Sequence, residues 1–142
     1  MLTRCRIGIK ERNIIRSICC HYDGYPEHTG QILYEMKTSE TLILVLNGDI
    51  KRLNTDLSTL KFDDFDPVTD DFLIHDSPAK FFKCCRDCCA DWGYFLDFDY
   101  RHVEYINKPI WFCRDPWEKT KPRPLWQFVN IHTTIRSPKK TA

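Results

Sequence analysis

The sequence predicts an α+β fold: an N-terminal β-hairpin, two helices, and further antiparallel strands forming one sheet. Three observations carry this expectation. Residues 4–22 hold two stretches with strand patterning, separated by a short polar turn. Residues 26–46 then shift to helical spacing, bounded by turn and capping residues. Aromatic and β-branched runs return at 81–85, 92–98 and 102–113 and read as later strands of the same sheet, with both helices on one face.

The first strand, 4–10, carries Ile7 and Ile9 on one side, and Glu11-Arg12-Asn13 forms the turn into the second, 14–22. Under the two-residue period, Ile14, Arg16, Ile18 and Cys20 share one face, and Ile15, Ser17, Cys19 and His21 the other. Asp23-Gly24-Tyr25-Pro26 ends that strand. Pro26 suits the first position of a helix running to residue 37, with Glu27 in its first turn and Ile32, Leu33 and Met36 as its apolar stripe. Thr38-Ser39-Glu40 supplies the start of a second helix that stops at Asn47-Gly48. The run Leu42 to Leu46 also suits a buried strand, but the cap before it and the Asn-Gly after it favour helix.

Residues 54–79 read as an irregular connection pinned by Phe62, Phe65 and Phe72. In the strand that follows, Trp92, Tyr94, Leu96 and Phe98 share a face opposite Gly93, Phe95 and Asp97. Pro116, Pro122, Pro124 and Pro138 imply an extended ending, anchored by Trp117, Leu125, Trp126 and Phe128. One α+β domain over 1–128 and a basic, extended tail over 129–142 result.

A chain of 142 residues with 42% apolar and 29% charged residues fits a single core. The opening MLTRCRIGIKER lacks the apolar centre of a signal peptide, and the longest apolar run is too short for a membrane span. A cytoplasmic location without membrane partners is therefore expected, with the eight Cys as thiols. Net charge is +1, which does not point to nucleic acid or acidic membranes. Its distribution is uneven. Arg4, Arg6, Lys10, Arg12 and Arg16 make a basic start, Lys119 to Arg123 and Arg136 to Lys140 a basic end, and Asp63, Asp64, Asp66, Asp70, Asp71 and Asp76 an acidic middle. Solvated faces explain such runs, and the acidic one also suits contact with a basic surface.

The cluster Cys84-Cys85-Arg86-Asp87-Cys88-Cys89 suggests metal chemistry, with Cys19, Cys20, His21 and Cys113 as a second ligand source. The knuckle context is missing, and on a strand Cys84 and Cys88 would face away from Cys85 and Cys89. No metal and no cofactor is expected. A redox role for Cys85-x-x-Cys88 lacks a following helix N-terminus to lower a thiol pKa.

The densest constellation is Cys20-His21-Tyr22-Asp23-Gly24-Tyr25-Pro26. In the structural reading, Asp23 caps the next helix and His21 bonds the turn. In the functional one, His21, Tyr22, Asp23 and Tyr25 contact a ligand, or His21 acts as a base oriented by Asp23. No nucleophile motif completes a catalytic set.

These residues resemble a family of small bacteriophage and prophage proteins that open with S-R-I-G-I, continue with S-I-Y-C-H-W-D-G-Y-P and enter a G-x-x-L helix. The matching positions are Arg6 to Ile9, Ser17 to Pro26, and Gly30 to Leu33; Leu42 to Asp49, Arg86-Asp87 and Trp92 to Asp97 resemble later steps. Cys19, Tyr22 and the Cys-rich run at 84–89 depart from the pattern. The resemblance implies a phage-type accessory protein acting inside a bacterium. The expected function is binding and inhibition of a host or defence-system protein, or of its nucleic acid, without catalysis. The binding residues would be the His21–Tyr25 turn and Asp63, Asp64, Asp66, Asp70 and Asp71. The alternative is a nucleotide or small-molecule site at the turn, with helix-start amides holding phosphate.

Overall fold

A computed structural model describes residues 2–99 and 109–129. Strands β1 (Cys5–Glu11) and β2 (Ile14–Cys20) form the expected antiparallel hairpin, pairing Cys5 with Cys20 and Glu11 with Ile14. Arg12 and Asn13 both take positive φ, 53° and 63°, as the tight two-residue turn requires. Neither is glycine, and Asp99 offsets the strain: its carboxylate accepts the Arg12 and Asn13 amides at 2.7 and 2.8 Å, and Lys10 at 3.0 Å.

After β2 the chain turns into one π-helical turn, Pro26–Gly30, and the short helix α1 (Gln31–Glu35). Helix α2 (Thr38–Leu46) follows as expected, and the Glu40 carboxylate accepts the Lys37 amide at 2.8 Å. Strands β3 (Arg52–Leu53) and β4 (Thr59–Leu60) form a separate small hairpin across the start of the expected irregular stretch. Strand β5 (Leu73–His75) joins the main sheet beside β2. The sheet order is β5-β2-β1-β6-β7-β8, with β6 at Trp92–Asp97, β7 at Ile110–Arg114 and β8 at Arg123–Pro124.

The expected strand at 81–85 is instead the centre of helix α3 (Pro78–Asp87). The Ser77 hydroxyl accepts the Lys80 amide at 3.2 Å, and Pro78 sits where a helix needs no N–H donor. Phe81, Phe82 and Cys85 then fall on one helical face and are buried. This helix produces two further corrections. It crosses the sheet so that β6 returns parallel to β1, from Cys5–Trp92 to Lys10–Asp97, making the sheet mixed rather than wholly antiparallel. It also covers the sheet face opposite α1 and α2, so helices lie on both faces.

Strand alternation separates the two cores. Ile7, Ile9, Ile18, Tyr94 and Leu96 pack with Leu33, Leu44 and Val45 on one side. Ile15 and Phe95 pack with Phe81, Phe82 and Cys85 on the other. Gly93 lets α3 approach: a Cβ there would stand 2.8 Å from a Phe82 ring carbon and 3.1 Å from the Cys85 sulfur. Residues 102–108 of the expected strand over 102–113 and the tail beyond Val129 fall outside the described residues.

Two substitutions test this layer. Gly93→Ala is expected to lower stability by about 1–3 kcal/mol through overpacking. Ser77→Ala is expected to cost about 1 kcal/mol through the lost cap. Urea unfolding of the purified chain measures both.

Candidate functional site

The corner at 20–26 is held mainly by main-chain bonds. Cys20 makes a parallel bridge to Ile50, and the His21 and Tyr22 amides donate to the carbonyls of Ile50 and Lys51 at 3.3 and 2.9 Å. Asp23 turns the chain at φ 55°. Its carbonyl accepts the Thr29 hydroxyl at 2.6 Å, and its carboxylate meets the Arg52 guanidinium at 3.0 Å. Gly24 donates to the Thr3 carbonyl at 2.8 Å and accepts the fully buried Tyr94 hydroxyl at 2.7 Å. A Cβ on Gly24 would meet the Cys5 backbone nitrogen and the Thr3 carbonyl at 2.9 Å, so only glycine fits.

The expected turn residues therefore do structural work. Asp23 contributes a carbonyl and an ion pair rather than a helix cap; Tyr25 occupies the cap position without a side-chain bond. The His21 ring packs edge-on against Phe62, centroids 4.6 Å apart, and burial followed by the Arg4 charge moves its pKa down. Lys51 lies over the Tyr22 ring, and Tyr25 stands 6.1 Å from His28, whose Nε2 meets the Leu53 carbonyl at 2.9 Å.

The acidic segment forms a loop over the C-terminal end of α2. The Asp49 amide donates to the Asp70 carbonyl at 2.8 Å, and Lys61 reaches the Asn47 carbonyl while lying over the Phe65 ring. Asp66 and Asp71 accept loop amides, and the Asp70 carboxylate accepts the Asp66 amide at 2.9 Å. Asp63, Asp64, Asp66 and Asp71 remain exposed and Asp70 is half-buried. Next to this loop, Leu42, Ile43 and Leu46 share the outer face of α2 at helical spacing, with 39, 62 and 59% of their surface exposed. Ile43 also lines a groove of about 300 Å³ together with Met36, Leu44, Ile50 and Leu57.

A third constellation lies under α3. Arg6, expected in a basic surface run, is 97% buried, because β1 points its even-numbered side chains at this helix. Its guanidinium donates to the Ser17 hydroxyl at 2.9 Å and to the Ser17 carbonyl at 3.0 Å. An arginine only donates, so the Ser17 hydroxyl is free to give its own proton to His75 Nε2, 2.7 Å away. Burial, reinforced by Arg6, pushes His75 down to about 4, so it stays neutral.

Across the sheet Cys19 stands opposite Arg6. The Cys88 sulfur, at the end of α3, donates to the Cys85 carbonyl at 3.5 Å. Bonds from Cys19 and Cys84, joined by Arg6 and opposed by burial, hold the Cys88 thiol far below its usual range. The bond to Cys88, with burial, pushes Cys19 and Cys84 up, so the three share one favoured ionisation. Cys88 sits at the C-terminal end of α3, where the helix dipole disfavours an anion by about 0.3–1 kcal/mol.

Cys20 faces the opposite core beside Cys5, and all eight cysteines are free. Among the described residues, no group of three or more His, Cys, Asp or Glu is arranged to hold a metal ion. Sequence reasoning did not single out Arg6, Ser17 or His75. The available signal was the strand period, which places Arg6 and Ser17 on the face away from Ile7 and Ile18.

Two measurements check these assignments. Tyr94→Phe leaves the Gly24 carbonyl unpaired in the core and is expected to cost about 1–3 kcal/mol by thermal or urea unfolding. His75 gives a pH dependence. Below about pH 6.5 the unfolded chain takes up a proton that the folded chain refuses until about pH 4, so stability falls as pH drops through that window. The full contribution is about 3 kcal/mol, and His75→Gln is expected to flatten it.

No protein-family model matches this chain, and neither a curated protein nor a solved structure does.

Proposed function

We propose that this chain is a non-catalytic binding protein of phage type. It docks on a host or defence-system protein through the outer face of α2 and the acidic loop beside it. The observation that carries this reading is the adjacency of Leu42, Ile43 and Leu46 to a loop bearing Asp63, Asp64 and Asp66. An apolar centre with a charged rim is the anatomy of a specific protein interface. Fully burying a Leu or Ile side chain contributes about 1.5–3 kcal/mol, so even the partly exposed trio would supply a useful share of affinity. The rim carboxylates would mainly speed encounter with a partner whose own apolar patch is ringed by Lys and Arg.

The acidic rim disfavours nucleic acid at this face, because phosphates and carboxylates repel. In the basic start of the chain, Arg6 is buried and Lys10 is paired with Asp97 and Asp99, which leaves fewer free cations there than the sequence implies. A ligand at the His21–Tyr25 turn gains little support. Neither the groove beside α2 nor a second cavity, lined by Tyr34, Leu96, Trp111 and Trp126 among others, includes a residue of 21–25. No helix among the described residues is long and apolar enough to cross a membrane. The motif resemblance over Arg6 to Leu33 supplies the bacterial, intracellular setting.

The test is a pull-down from bacterial lysate with wild type, Ile43→Glu and Lys83→Glu, the last an exposed change on the other sheet face. Wild type and Lys83→Glu are expected to retain one partner that Ile43→Glu loses at least tenfold. With that partner purified, replacing Asp63, Asp64 and Asp66 by Asn is expected to slow association and flatten its salt dependence. Equal recovery by all three baits, or none, would defeat the reading.

A further inference from the structure

Trp117, in the loop that joins β7 to β8, keeps 69% of its surface exposed. Two arginines hold the loop around it. The Arg86 guanidinium reaches from α3 and donates to the Pro116 carbonyl at 2.9 Å. Arg114, the last residue of β7, donates to the same oxygen at 3.4 Å and to the Thr120 carbonyl at 3.0 Å. We infer that this loop is a second binding surface, for single-stranded nucleic acid: Trp117 stacks on a base while Arg86, Arg114, Lys119 and Lys121 meet the phosphates beside it.

Two guanidiniums drawn to one carbonyl repel each other, and neither has a carboxylate partner among the described residues. Arg114 lies 3.9 Å from the centre of the Phe82 ring, and its buried Nε has no acceptor among the described residues. Burial, then the Arg86 charge, moves its pKa down; an anion on the loop would relieve that repulsion. Lys119 and Lys121 are exposed on the same loop. Its two acids are turned to internal bonds: Asp115 accepts the Trp117 amide at 2.8 Å, and Glu118 accepts the Thr120 hydroxyl at 3.1 Å. The lysines of α3 differ, because Lys80 and Lys83 are paired with Asp76 and Asp87.

Trp117 decides which anion fits. The Arg86 guanidinium stands 6.0 Å from the ring centre, the outer limit of a cation–π contact, and the exposed indole keeps a face open to solvent. Such a ring is a stacking platform that any base matches. An acidic peptide brings charge without a repeating planar ring, and in a duplex the bases already stack on one another. A single strand brings a phosphate and a free base with every nucleotide. Arg86 commits only Nη1 to the loop, which leaves its other donors for paired bonds to phosphate oxygens. Arg114 packs on the α3 side of the sheet, so this surface is separate from α2 and its acidic loop and does not rest on the docking reading.

The test is fluorescence anisotropy of a labelled oligothymidylate of about twelve nucleotides with the full-length chain, across a salt series starting near about 50 mM. Wild type is expected to bind, more weakly as salt rises. Trp117→Leu is expected to weaken binding at least about fivefold through lost stacking. Replacing Lys119 and Lys121 by Gln is expected to lower the log–log salt slope by about 1. Lys80→Gln, an exposed change on α3, is expected to stay within about twofold of wild type. The replaced side chains are exposed, so thermal unfolding is expected to match wild type and to separate lost binding from lost fold. Absence of binding by wild type would overturn the inference. So would equal affinity of Trp117→Leu, or competition by duplex DNA or polyglutamate as effective as that by the single strand.

Discussion

Strand β1 sets the terms for the rest of the molecule. It lies inside the sheet, antiparallel to β2 and parallel to β6, and its alternate residues are committed to different layers. Cys5, Ile7 and Ile9 close the core under α1 and α2. Arg6 and Gly8 face α3 instead, and a Cβ on Gly8 would stand 2.7 Å from Ile15. A guanidinium held in that layer without a carboxylate would cost several kcal/mol if left bare. The neighbours answer this requirement: Ser17 accepts two of its hydrogen bonds and His75 is kept neutral.

The joint at 20–26 solves a different problem. A strand must become a helix within six residues while staying fastened to the start of β1. Gly24 does this by lying so close to Thr3 and Cys5 that no side chain fits, and Tyr94 reaches from β6 to bond its carbonyl. The dense run of His, Tyr and Asp looks functional because such corners need polar side chains and unusual backbone angles. Here Asp23 takes the positive φ and Arg52 pairs with its carboxylate.

Local signals in the sequence were readable where they were self-contained. The hairpin, α2 with its Asn-Gly stop, and the alternation of Tyr94 and Leu96 against Phe95 all follow from short-range periodicity and turn chemistry. Helix α3 misled that reading because Phe81-Phe82-Lys83-Cys84-Cys85 is a short aromatic and sulfur-rich run that suits either element. The deciding signal, Ser77-Pro78, stands before the run rather than within it. Once that helix was misplaced, the parallel pairing of β6 and the second helical layer were out of reach. Both depend on how separate parts of the chain pack, and no local pattern encodes them.

Strand β2 and the acidic loop share one residue, Asp49. Its carboxylate accepts the Cys19 amide at 2.8 Å, and its own amide donates to the Asp70 carbonyl at 2.8 Å. Burial and Asp70 push the Asp49 carboxyl up, while the Cys19 amide and the Arg6 charge hold it down. The acidic loop is thus fastened to β2 through Asp49 and to the end of α2 through Lys61 and Asn47. A loop fixed in this way presents its carboxylates already ordered, so a partner need not supply the ordering entropy on binding. Leu42, Ile43 and Leu46 are placed by the helix, and the loop that carries Asp63 and Asp64 is tied down on both sides of them, by Lys61 on Asn47 and by Asp70 on Asp49. Asp63 and Asp64 are exposed, so replacing these carboxylates leaves the apolar face where α2 holds it.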